Sequence, residues 1–242
     1  MKTETTTKRR ALLSPGATNA KTAKNSLKTF ILYLSPGTTN GHNLCPKASA
    51  GCLAACLYTA GRGKFSNVQK ARENKTAQFI KDKPAFVRAL AYEILKQYNK
   101  AKKAGEKIAM RLNGTSDIDF VYLLQKYAGL DISTLADYIV FYDYTKILQK
   151  AIRYQAHPNY SVTFSRSESN QDEARQAAKL GINIAAVFSG DLPTKYLGLP
   201  VIDGDKSDIL MIYNKGVVLG LKAKGQAKKD QSGFVIFDDL PF

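Results

Sequence analysis

Apolar residues fall into two alternating patterns along the chain. Short, mostly apolar runs predict strands: "TFILYLS" (29–35), "KIAMRLNG" (107–114), "YIVFYDYT" (138–145), "YSVTFSRSE" (160–168) and "NIAAVFSG" (183–190). Between them lie stretches that predict helices, over 66–80, 84–104, "DIDFVYLLQKYAG", "ILQKAIRYQ" and "NQDEARQAAKLG". The punctuation agrees with this reading. Ser35-Pro36-Gly37 ends the first strand, Pro84 sits in the first turn of its helix with Gly105 just past the end, and Asn170 and Gly181 flank the last helix. Strands separated by single helices imply right-handed βα units and a parallel sheet, so the fold class expected is α/β, a parallel (β/α) barrel or partial barrel.

After residue 191 the pattern changes. "GLPVIDGDKSDILMIYNKGVVLGLKAKGQ" contains β-type runs broken by Gly, Asp and Asn, with no helix signal before Gln226. This predicts a β-rich C-terminal extension, 191–242, that closes one end of a single domain spanning 26–242. Residues 1–25, rich in Thr, Lys and Asn, read as a flexible basic arm. No apolar run approaches the roughly 18 residues of a membrane span, and no apolar region follows the charges of "MKTETTTKRR". A cytoplasmic location without membrane contact is expected.

Charge changes the picture. The chain carries 36 Lys and Arg against 20 Asp and Glu, a formal net charge of +16. Residues 64–107 hold twelve of the basic residues against four acidic ones, so half the net charge lies in the two longest helices. Such a field attracts polyanions, and nucleic acid, DNA foremost, is the expected partner. Lys96, Lys100 and Lys103 share one helix face and are the residues expected to contact phosphates. A solvated lysine-rich face is the alternative.

All three cysteines, Cys45, Cys52 and Cys56, lie within twelve positions of the loop that follows the first predicted strand. An odd number in a reducing compartment argues against a disulfide framework. Cys52 and Cys56 are four apart and can share a helical face. Three thiolates can hold three irons of a [4Fe–4S] cluster, leaving the fourth iron to a ligand, or they can join His42 in a Cys₃His zinc site. Burial as three small hydrophobes is the third possibility. Because ligands of parallel α/β folds bind at the carboxyl ends of strands, the loop position favours the cluster.

The other strand ends carry matching polarity. "MRLNGTSDID" supplies Arg111, Asn113 and Asp117, "FYDYTK" supplies Asp143, Tyr144 and Lys146, "FSRSE" supplies Ser165, Arg166 and Glu168, and "VIDGDKSD" supplies Asp203, Asp205 and Asp208. Arg111, Asn113, Asp117, Asp143, Lys146, Arg166 and Glu168 are the candidate catalytic residues, expected to converge beside the cysteine loop. Ordinary loop polarity is the competing account. "DGDKSD" does not complete a calcium loop, since Asn214 stands where its glutamate belongs, and His157, beside Pro158, reads as a surface residue.

A partial barrel with three cysteines after its first strand resembles, at a distance, the radical S-adenosylmethionine enzymes, although CxxxxxxCxxxC departs from their usual spacing. A resemblance over nearly the whole chain is carried by "NLCPKASAGCLAACLYTAGRG", "RLNGTSDI", "FYDYTK", "FSRSESN", "VIDGDKSD" and "GLKAKG". These segments are similar to a family of bacteriophage proteins labelled gene product 88, or rolling-circle replication-associated. The resemblance implies a phage protein working in the bacterial host cytoplasm. Two functions remain open: an iron–sulfur enzyme, with S-adenosylmethionine as possible co-ligand, acting on or with nucleic acid or nucleotides; and a non-catalytic, zinc-stapled nucleic-acid-binding protein of phage DNA replication.

Overall fold

A computed structural model describes residues 11–18, 22–56, 58 and 61–237. Its ten strands are β1 (Leu13–Pro15), β2 (Lys28–Leu32), β3 (Ile108–Arg111), β4 (Ile139–Thr145), β5 (Tyr160–Ser165), β6 (Ile184–Phe188), β7 (Lys195–Tyr196), β8 (Leu199–Asp203), β9 (Val218–Lys222) and β10 (Val235–Ile236). The helices are α1 (Ala50–Ala54), α2 (Ser66–Lys81), α3 (Lys83–Ala104), α4 (Phe120–Ala128), α5 (Leu148–Arg153), α6 (Gln171–Lys179) and α7 (Leu210–Tyr213). The strands form one mixed α/β sheet in the order β1-β2-β3-β4-β5-β6-β9-β8-β7, with β10 beside β6. From β2 through β6, and on to β9 and β8, neighbours run parallel. The path ends at β1 and β7 and does not close on itself.

Strand alternation divides the core. Phe30, Leu32, Ile108, Met110, Ile139 and Phe141 point to one face, where Phe86, Leu90 and Ile94 of α3 and Leu124 of α4 cover them. Ala109 and Tyr142 point to the other and meet Ile209 and Met211, at the start of and within α7. Helix boundaries follow local chemistry. Asp82 accepts a hydrogen bond from the Ala85 N–H at 2.9 Å, and Gly105 ends α3 in the left-handed region, φ 65°.

Two expectations are corrected. From residue 11 the chain is not an arm: β1 pairs antiparallel with β2, and Glu93 of α3 accepts the amides of Leu12 and Leu13 at 2.8 and 2.9 Å. Lys8, Arg9 and Arg10 lie outside the described residues. The C-terminal segment widens the sheet instead of capping an end, because β9 inserts between β6 and β8. It also contains a helix, α7, whose four residues are too few to display a helical period.

Candidate functional site

The parallel strands place the turns after β2, β3, β4 and β5 along one edge, and the cysteine loop lies across it. At its near end the Cys45 N–H donates to Asn43 Oδ1 at 2.9 Å and the Cys45 thiol to the Thr115 carbonyl, beyond β3, at 3.7 Å. At its far end Ser49 caps α1, accepting the Cys52 N–H at 3.2 Å. Glu168, beyond β5, then accepts from Ser49 Oγ and from the Gly51 N–H, both at 2.7 Å. Gly51 must be glycine, since a Cβ there would stand 2.7 Å from Phe234 Cβ and 2.9 Å from Glu168 Oε1.

The three thiols are half-buried and form no disulfide. Burial pushes the Cys45 thiol up to about 11, against the Gly37 N–H; Asp117 and the other two cysteines push it further. Burial also raises Cys56, with Cys52 adding to it, while the Tyr58 amide, Arg72 and Lys146 pull the other way. The sulfurs therefore sit within each other's electrostatic reach. Their chemistry suits a soft metal, yet among the described residues no group of three or more His, Cys, Asp or Glu side chains is set to hold an ion. His42 is exposed.

The strand-end polar residues converge, but mostly on one another. Asn113 donates its backbone N–H and Nδ2–H to Asp143 at 2.8 and 3.0 Å, while its Oδ1 accepts from Ser116 and the Ile118 amide. Tyr160 OH also donates to Asp143 at 3.1 Å; burial raises the Asp143 carboxyl against the pull of Lys150 and Arg111. Asp117 accepts from Thr145 Oγ1 and the Lys146 N–H at 2.8 Å each, and pairs with Lys150 at 3.1 Å. Arg111 pairs with Asp208 at 3.2 Å and lies 4.9 Å from the Tyr144 ring centroid. Burial opposes its charge, but Asp208 and the neighbouring tyrosines outweigh that and raise its pKa. Arg166 holds Gln171 and the carbonyls of Gly233 and Phe234, fastening the segment before β10. Six of the seven predicted catalytic side chains are thus engaged in the scaffold. Lys146 differs: its ammonium reaches Ser165 Oγ at 3.2 Å and lies 5.8 Å from the Phe234 ring centroid.

The phosphate-contacting lysines lie elsewhere. Lys96, Lys100 and Lys103 are exposed, but α3 leads through a short turn into the first residue of β3, so its second half lies toward the amino edge. Asp203 and Asp205 close a turn, and Asp205 pairs with Lys224 at 2.8 Å. Residues missed in the sequence are Lys150, buried against Asp117, and Arg72, which counts as surface charge by composition but is buried in α2.

A family model described as gene product 88 matches residues 4–237. The chain belongs to the gene product 88 family. This is a phage-type family, and the bacteriophage reading stands with it. No curated protein and no solved structure matches significantly. In this gene product 88 member the segments that carried the resemblance are the cysteine loop and the turns after β3, β4, β5, β8 and β9. No helix among the described residues is long and apolar enough to cross a membrane.

Proposed function

We propose that this gene product 88 protein carries a thiolate-bound metal centre on Cys45, Cys52 and Cys56 and acts on or with nucleic acid or nucleotides. The observation that carries the reading is the double anchorage of the cysteine loop, by the Leu44 carbonyl, which accepts the Asp117 N–H at 2.8 Å beyond β3, and by Ser49 and Gly51 to Glu168 after β5. Anchored on both sides, residues 44–51 lie across the carboxyl edge of the parallel strands, where ligands of such sheets bind, and Cys52 and Cys56 follow in and just after α1. Three sulfur ligands favour a [4Fe–4S] cluster with one open iron, which supplies redox chemistry when bound and leaves room for a co-ligand such as S-adenosylmethionine. Since the thiols do not form a closed ligand set, no reaction step is assigned to the metal. Lys146, whose charge acts on Cys56, contributes positive charge to the edge, and the lysines of α3 hold polyanion at a distance from it.

One observation favours a second reading, a zinc-stapled, non-catalytic binding protein linked to phage DNA replication. The internal hydrogen bonds and ion pairs of Asn113, Asp117, Asp143, Arg166 and Glu168 leave few groups for chemistry. Anaerobic purification followed by absorbance and by iron, sulfide and zinc analysis separates the two. Brown protein with iron and sulfide supports the cluster; colourless protein with one zinc supports the staple.

A further inference from the structure

The buried stripe of α2 is Arg72, Thr76 and Phe79, so it becomes polar toward the helix N-terminus. Arg72 is only 8% exposed. Its Cζ lies 4.9 Å from the Tyr33 ring centroid and 5.4 Å from that of Tyr58, and its Nε and Nη1 are buried with no hydrogen-bond partner among the described residues. Among the described residues it joins no ion pair. One helical turn later, Thr76 Oγ1 accepts the Ser35 N–H at 2.8 Å, and the Ser35 hydroxyl is a second buried group with no partner among the described residues. Tyr33 and Ser35 are two apart on the segment leaving β2, facing Arg72 and Thr76 four apart on α2. Two orphaned polar groups therefore share one interface.

A buried guanidinium stays charged and is costly unless an anion compensates it. A water molecule could satisfy the serine hydroxyl, but it could not neutralise the arginine. Aromatic rings near the guanidinium leave its N–H edges as the route for a hydrogen-bonding partner. We propose that Arg72 and Ser35 form an oxyanion site that takes the phosphate or carboxylate group of a small ligand, with Tyr33 and Tyr58 packed about the guanidinium. Burial on this scale suits a compact anion and not a nucleic-acid backbone running over the surface. The inference goes beyond the metal-centre reading: Cys56 lies within electrostatic reach of Arg72, but it leaves the buried Nε–H and Nη1–H edges without a hydrogen-bond acceptor.

Isothermal titration calorimetry of the full chain with inorganic phosphate and with acetate, in chloride buffer at fixed ionic strength, tests it. Saturable one-site binding of either anion is expected, the tighter one naming the source. Ser35→Ala, which keeps the charge, should weaken binding about tenfold, as loss of a hydrogen bond to a charged group does. Arg72→Gln should abolish it. No saturable binding of either anion, or binding unchanged in Ser35→Ala, overturns the proposal. Titration of Cys52→Ser separates the two readings: anion binding that persists without metal supports this site whatever becomes of the metal centre, and anion binding lost with Cys52 counts against it.

Discussion

Glu168 accepts hydrogen bonds from Ser49 Oγ and the Gly51 N–H across 119 and 117 positions of sequence, tying the cysteine-bearing helix α1 to the end of β5. The carboxylate also meets the amino end of that helix, where negative charge is favoured. Glu168→Ala should cost about 2 kcal/mol, since it orphans a backbone N–H and a hydroxyl that were paired with a charge. Urea unfolding measures the loss, and limited proteolysis should cut first within 42–56. Glu168→Gln retains an acceptor and should lose about half as much.

Asp117 and Lys150 form the buried ion pair beneath the turn after β3, with side chains 11% and 3% exposed. Removing one partner of such a pair costs about 3–5 kcal/mol. Asp117→Ala should be the worse of the two, because it also strips the acceptor from Thr145 and the Lys146 amide. Lys150→Met leaves the carboxylate two other donors, the Thr145 hydroxyl, shared between its oxygens, and the Lys146 N–H. In a double-mutant cycle the combined variant should lose clearly less than the sum of the single variants.

His157 lies 6.0 Å from the ring centroids of both Tyr154 and Tyr160, and burial lowers its pKa below 6.5, with Asp131 opposing. The unfolded chain then binds the proton more readily than the folded one. Stability contributed by the neutral imidazole is present above 6.5 and is lost as pH falls through that value toward the depressed folded pKa. Thermal melts between neutral and mildly acid pH should show the wild type losing ground to His157→Gln. A gap that is constant with pH would show that the imidazole does not titrate differently on folding.

Much of this architecture is legible in the sequence because its signals are local. Asp82, Pro84 and Gly105 bound α3 by chemistry within a turn of each end, and the apolar runs mark β2 to β6. β1 and α7 escape because three or four residues carry no period. The convergence of polar residues on the carboxyl edge is also legible, since each follows a strand. Their mutual engagement is not: Asn113 finds Asp143 thirty positions away, and nothing local distinguishes a side chain that ends in a partner from one that ends in solvent. Arg72 is hidden for the same reason. Its stripe, Arg-Thr-Phe, reads as an exposed polar face until Tyr33 and Tyr58 stand beside it.

Replacing Lys96, Lys100 and Lys103 together by Gln tests the nucleic-acid part of the proposal. The residues are exposed and far along α3 from the cysteine loop, so the variant should fold and keep any metal. Filter binding over a salt series should show weaker affinity for unrelated sequences and a log–log slope flatter by about two units or more, at roughly 0.7 to 0.9 per phosphate contact. An unchanged slope would assign these lysines to solvation alone.

Metal content per chain after anaerobic purification of the wild type, Cys45→Ser, Cys52→Ser, Cys56→Ser and His42→Ala tests whether one loop holds a metal through three sulfurs. Serine oxygen is a poor substitute for a thiolate toward a soft metal. Iron with sulfide is expected in the wild type, loss in each cysteine variant, and near-full loading in His42→Ala, because His42 is exposed. Full metal content in all three cysteine variants, or no bound metal in the wild type, would contradict it.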